Sequence, residues 1–276
     1  PVLPWTPFPV GNQAITVFWL VGITNALNLL DNMDGLAGGV GAVTSLGIFS
    51  LAALGGQDII ATLGVAMTGA CLGFLAYNIR PASVFMGDAG SLFIGYILAI
   101  GALELDPTLL PPVSFAVPVI LLALPLLDTT TVVLARLRRG RSVAQGGRDH
   151  LSHRLVARGL SPGMAVTVLI VVQFICAAVA VVFGRGVIGS VQVAVLAGVP
   201  LAGLVFVTAR ARVYEEPVIG LPARWYVLGF AGLGAVVVLS APAAVTLMAS
   251  RTGLQSAASD ARAALASVQA GDQTAA

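Results

Sequence analysis

Residues 163–183 read GMAVTVLIVVQFICAAVAVVF, an apolar run of the length that crosses the hydrocarbon core of a bilayer. Similar runs recur along the chain. Candidate spans lie at roughly 13–30, 35–54, 59–78, 91–105, 112–135, 163–183, 187–208 and 225–248, about eight in all. The composition agrees: of 276 residues 58% are hydrophobic and 9% are charged, with a mean hydropathy of +0.97. That is too little charge to cover a water-soluble domain of this size. The expected fold class is all-α, a polytopic transmembrane helix bundle, with 1–249 as a single transmembrane domain. Pro118 and Pro125 fall inside the fifth span, which membranes tolerate when neighbours satisfy the freed backbone. The Ala/Ser/Gln-rich stretch 250–276 reads as a polar, loosely ordered tail. The chain opens on PVLPWTPFP, a Pro-rich lead-in that suits a loop between spans, so further spans are expected upstream.

Charge placement orients the bundle. All 14 basic residues are arginines, and half of them lie between Arg136 and Arg158. Positive-inside bias then makes the loop at about 136–162 cytoplasmic. Alternation of spans brings the 31–35 junction, the 79–90 segment and the 209–224 loop to the same side. The arginine patch is short and joins two spans, which argues against nucleic-acid binding. Cys71 and Cys176 each sit in an apolar stretch and read as small packing residues, with no disulfide or zinc spacing.

Three polar segments resist a packing explanation, and all fall on the cytoplasmic side. In NALNLLDNMDGLAGG, residues 25–39, Asn25, Asn28, Asp31 and Asp34 recur every third position and form a slowly winding helical stripe. One Asp could cap a helix end. Two, behind two Asn, point to a function, because a carboxylate within a span costs on the order of 3 kcal/mol. In NIRPASVFMGDAGS, residues 78–91, Pro81 ends a helix, Gly87 to Gly90 are expected to turn, and Ser91 starts the next span. Asp88 there is either a helix cap or a hard oxygen ligand suited to magnesium. Phe85 beside it suits a wall under a planar ring. In GGRDHLSHRL, residues 146–155, His150 and His153 stand three apart among Arg148, Asp149 and Arg154. Arginine and histidine together offer several donors to phosphate oxygens. Asp128, in PLLDTTT near the cytoplasmic end of the fifth span, is open to a structural or a functional reading.

Carboxylates for a divalent cation, with arginine and histidine for phosphate, suit phosphoryl chemistry at a membrane face. A transporter or flippase for an anionic lipid or nucleotide, or an inactive scaffold subunit, remains compatible with the same residues. The polar groups gather at one face, though, and not at mid-bilayer, and no paired broken helices occur in matching halves.

The three segments, in this order, resemble the polyprenyl-phosphate N-acetylhexosamine-1-phosphate transferases, a superfamily that includes the phospho-N-acetylmuramoyl-pentapeptide translocases. His150-Leu151-Ser152-His153 is closer to the N-acetylglucosamine branch, although that branch has His-x-His-His and this chain places Ser152 third. The resemblance implies transfer of a sugar 1-phosphate from a UDP-sugar, UDP-N-acetylglucosamine above all, to a polyprenyl phosphate at the cytoplasmic face of the cell membrane, with release of UMP. It implies a magnesium ion, replaceable by manganese, on Asp88. Asp31 and Asp34 would be catalytic carboxylates, Asp31 near the lipid phosphate. Asn78 and Phe85, with Asp34 and with Asn25 and Asn28 nearby, would line the nucleotide site. His150, His153 and Arg154 would meet the donor phosphates. The family also carries an upstream Asp-Asp pair, which is absent here and expected in the upstream spans; without it, little activity is expected. Small-residue helix faces suit a homodimer.

Overall fold

The computed structural model describes residues 9–105, 111–138, 140, 142, 147–209 and 211. Among them there is helix and no strand. The helices are α1 (Pro9–Leu30), α2 (Leu36–Leu54), α3 (Asp58–Asn78), α4 (Gly87–Leu103), α5 (Pro111–Leu121), α6 (Ala123–Arg138), α7 (Leu151–Ala157), α8 (Pro162–Gly184), α9 (Ser190–Leu196) and α10 (Gly198–Ala209). Five stretches are long and apolar enough to cross a membrane: Val10–Leu30, Leu36–Leu54, Asp58–Asn78, Pro162–Gly184 and Ser190–Ala209. The expected span at 225–248 and the tail beyond it lie outside the described residues.

Helix α2 is the most deeply buried of the five, packed by α3, α4 and α8. Small residues make this possible. A Cβ added at Gly64 of α3 would lie 2.8 Å from the Phe49 backbone nitrogen on α2. One added at Gly95 of α4 would lie 2.8 Å from Cα of Thr24 on α1. Neither partner atom can move without its helix, so the two glycines set the α2–α3 and α1–α4 spacings. The Trp19 indole N–H donates to the Ala99 carbonyl at 3.2 Å and ties α1 to α4 a second time. Leu27, Leu36, Leu121, Leu124 and Leu169 fill the interior. Phe18, Ile59, Phe93 and Phe206 are exposed, as side chains that meet lipid should be.

The expected fifth span, 112–135, is two helices. Pro125 has no N–H for the Leu121 carbonyl, so the α-helical ladder fails there. Gln173 of α8, fully buried, repairs the break: its amide donates to the Leu121 carbonyl at 2.6 Å and to Thr44 Oγ1 at 2.9 Å. Its Oε1 accepts from the Leu124 N–H at 3.3 Å. A second interruption, at Ala197, divides the expected span 187–208 into α9 and α10; Pro200 leaves the Leu196 carbonyl without its helical donor. The expected span at 91–105 starts four residues early, at Gly87, so Asp88 lies in a helical first turn and not in the turn before it. There the helix dipole favours its charge.

Candidate active site

The stripe at 25–34 begins on the last turns of α1 and runs into the turn that opens α2. Asn25 is exposed and, with Thr24, lines a cleft of about 440 Å³ between α1 and α4 that is mostly apolar, with Leu20, Val21, Leu92 and Tyr96. Asn28, one turn on, donates its amide to Asp88 Oδ1 at 2.9 Å and to Ser91 Oγ at 2.9 Å. The first and second segments therefore meet through side chains. Ser91 is fully buried and also donates to the Gly87 carbonyl at 3.0 Å. The sequence marked it only as the start of a span.

Beyond α1 the chain turns sharply. Gly35 takes φ 82°, and its N–H donates to Asn78 Oδ1 at 2.8 Å. The Asn78 amide then donates to the Val84 carbonyl at 2.9 Å. Asn78 is 3% exposed, so its side chain is spent on the backbones of the first and second segments. Asp34 Oδ2 accepts from the Ala82 N–H at 3.3 Å, a second tie between these segments. Phe85 stands 75% exposed beside them, a free aromatic face.

Asp31, Asp34 and Asp88 share one neighbourhood. Burial raises the Asp31 pKa above the ordinary carboxylate range, and the charges of Asp88 and Asp34 raise it further. None of the three has a cationic partner among the described residues. Among those residues, too, no three carboxylate, imidazole or thiol groups stand in metal-liganding geometry. The donor set still fits a hard divalent cation: unneutralised oxygen ligands repelling one another, with room for phosphate and water oxygens in the remaining positions.

The third segment joins from the other side. Ser152, fully buried, donates its hydroxyl to Asn32 Oδ1 at 2.6 Å, while the Asn32 amide donates to the Leu29 carbonyl at 2.8 Å. Asn32 escaped the sequence reading because it stands off the every-third-residue stripe. Asp128 of α6 is fully buried; its Oδ1 accepts from the Leu151 N–H at 2.7 Å, and its Oδ2 lies 2.7 Å from His150 Nδ1. His150 is 4% exposed, and its ring lies 6.2 Å from that of His153. His153 is half-buried. Burial lowers its pKa, the positive neighbours His150 and Arg148 lower it further, and Asp128 partly offsets them. Arg136 pairs with Asp149 at 3.3 Å in the interior. Arg154, also buried, sends Nε to the Asp149 carbonyl at 2.6 Å and Nη1 to the Thr208 carbonyl at 3.4 Å, clamping α7 against α10.

All three segments thus converge at one end of the bundle. Asn28, Asp31, Asp34, Asp88, His150 and His153 belong to that connected set; Asn78 and Arg154 brace it from within, and Asn25 stands at its apolar margin.

Parts of the chain are similar to known proteins. Residues 3–106 match the model of glycosyl transferase family 4. The chain is 40% identical over 183 residues to a probable undecaprenyl-phosphate N-acetylglucosaminyl 1-phosphate transferase of Bacillus subtilis, covering 65% of this chain and 49% of that protein. It is 37% identical over 182 residues to a decaprenyl-phosphate N-acetylglucosaminephosphotransferase of Mycolicibacterium smegmatis, covering 58% and 44%. It is 45% identical over 101 residues to a phospho-N-acetylmuramoyl-pentapeptide-transferase of Rubrobacter xylanophilus, covering 37% and 31%. The chain spans about half the length of the curated relatives that it matches over most of its described residues.

Proposed function

We propose that this chain, whose residues 3–106 match the model of glycosyl transferase family 4, transfers N-acetylglucosamine 1-phosphate from its UDP-linked donor to a polyprenyl phosphate at the cytoplasmic face of the cell membrane, releasing UMP. In net terms the sugar-bearing phosphorus gains a bond to an oxygen of the lipid phosphate and loses its bond to the bridging oxygen, which departs with UMP. The observation that carries this reading is the junction itself. Asn28 links the first segment to Asp88, and Asn32 links it to Ser152, so the carboxylates and the histidines belong to one site.

Each residue then has a task. Asp88, with Asp31 facing it, would hold the magnesium ion, which supplies charge neutralisation to the diphosphate when bound. The raised proton affinity of Asp31 suits a carboxylate that stands near the incoming lipid phosphate and exchanges a proton with it. Phe85 offers its exposed face to the uracil ring, with Asp34 beside it. His153 and His150 meet the donor phosphates, where a donor hydrogen bond to a developing charge is worth a few kcal/mol in a water-poor site. Asn78 and Arg154 act through the backbones they hold, and Asn25 leads from the polar site to the apolar cleft.

Exchange of labelled UMP into UDP-N-acetylglucosamine, in membranes supplied with polyprenyl phosphate and magnesium, tests the proposal. The full-length enzyme should exchange; Asp88→Asn and a chelator should each remove exchange, by roughly 100-fold or more. Exchange indifferent to both would overturn the cation assignment, and lipid or nucleotide movement without UMP release would replace the enzyme with a transporter. The match to the Rubrobacter protein makes UDP-N-acetylmuramoyl-pentapeptide the second donor to try.

A further inference from the structure

We propose that Asp128 is a positioning residue that holds a hydrogen on His150 Nδ1 and turns Nε2 toward substrate phosphate, to which the doubly protonated ring donates from Nε2 while the carboxylate balances its charge. The inference rests on the transferase reading for its catalytic consequence, but its geometric half stands independently. The Asp128 carboxylate is fully buried, and each of its oxygens has one partner. Oδ1 takes the Leu151 N–H, one of the backbone donors that the start of α7 leaves open. Oδ2 lies 2.7 Å from His150 Nδ1. A buried carboxylate in a bundle interior is an acceptor only, so the nitrogen that faces it must carry hydrogen. The described residues give His150 Nε2 no hydrogen-bond partner.

Both contacts come from one side chain, which makes the device stiff. The Leu151 bond places the backbone from which His150 hangs, and the Nδ1 bond sets the rotation of its ring. Ser152, next along, holds the same turn to Asn32 and hence to the carboxylate cluster. A histidine whose orienting carboxylate is replaced by an amide keeps its place and takes the opposite tautomer, and chemistry that needs the charged ring, with hydrogen on both nitrogens, then fails. Asp128→Asn is therefore the informative variant. Asparagine Oδ1 still accepts from Leu151, but its NH2 group now faces Nδ1, which must be bare to accept from it, so the ring is held neutral with its one proton on Nε2 and loses its charge toward phosphate.

Nitrogen-15 NMR of full-length chain labelled at histidine reads the proton position directly, at about pH 8 where an ordinary imidazole is neutral. The His150 signals are identified by their loss in His150→Gln. The parent should show Nδ1 bearing hydrogen, and Asp128→Asn should show it bare. In the UMP exchange assay the same variant should lose roughly 100-fold in kcat with donor KM little changed, and Asp128→Asn should add nothing in a His150→Gln background. A bare Nδ1 in the parent overturns the proposal, as does an Asp128→Asn variant with an unmoved proton. Unchanged kcat, a loss confined to KM, or losses that add in the double variant also overturn it, since each separates Asp128 from the work of His150. A parent with the expected proton but no UMP exchange would refute the transferase reading and leave the hold on His150 standing.

Discussion

The two halves of the candidate site handle charge in opposite ways. Around α7 the buried carboxylates and Arg154 have partners: Asp128 has His150 and a backbone N–H, Asp149 has Arg136, and Arg154 has two carbonyls. Around the α1–α2 turn, Asp31, Asp34 and Asp88 meet amides and one another's charge, with no cationic partner among the described residues. The first half is assembled before any ligand arrives, and its charges hold the loop in place. The second is left electrostatically short by the protein and is completed by what binds. Under the proposed function the site would admit and release both a cation and a phosphate, which carboxylates already filled by arginine could not do, and the loop would aim imidazoles, which loose supports could not do.

This contrast predicts opposite responses to the same kind of mutation. The largest effect belongs to the closed half. Asp149→Ala leaves the buried Arg136 without its carboxylate and should destabilise the protein by about 3 kcal/mol, read as a fall in the denaturation midpoint in detergent. A variant as stable as the parent would mean that the α7 support is not the paired scaffold described above.

In the open half the sign reverses. Asp31 has its pKa raised by burial and then by Asp88 and Asp34. A raised carboxylate pKa means that the folded state binds its proton more tightly than the unfolded chain does. The resulting stability is full below the ordinary value of 3.8 and is lost as pH rises through the raised one. Asp31→Asn removes that loss. Without divalent cations, near neutral pH, it should melt slightly above the parent, by no more than about 1 kcal/mol, while UMP exchange collapses. The stability gain should shrink toward acid. Destabilisation at neutral pH would show that Asp31 is a structural support like Asp149.

The smallest effect tests the border between the halves. The His153 pKa lies below its ordinary 6.5 through burial first, then His150 and Arg148. The folded state is thus slow to accept this proton, and stability from the group is present above the ordinary value and drains as pH falls through the folded one. Arg148→Gln should move the His153 titration upward, followed by its ring signals. An unmoved titration would remove Arg148 from the field at His153.

What the sequence disclosed, and what it did not, divides along the same physical line. Apolar runs near 163–183 and the three polar segments were legible, because span length and residue type are local properties. The break in the fifth span was half legible, and the one in the seventh was not read at all. Pro118 and Pro125 announced weakness, but that the ladder fails at Pro125 and is spliced by Gln173 depends on a neighbour 52 residues away in sequence from Leu121. The Asp88 helix was expected to begin at Ser91 because Gly87 and Gly90 read as a turn; in the bundle the chain is already helical there. Asn32 with Ser152, 120 residues apart, and Asp128 with His150 are pairings that no spacing rule reveals, since tertiary packing selects them. Ser152, a departure from the family's histidine pattern, proves to be the hydroxyl that joins the third segment to the first.

The proposed function requires carboxylates and histidines from separate helices to lie within reach of one cation held at Asp88. Manganese in place of magnesium tests it directly, because a paramagnetic ion broadens the resonances of nearby nuclei. Titrated into the nitrogen-15 histidine-labelled protein, manganese should broaden the signals of His150 and His153 in the parent and leave them sharp in Asp88→Asn. Sharp histidine signals in a parent that binds manganese, or equal broadening in the variant, would contradict the account.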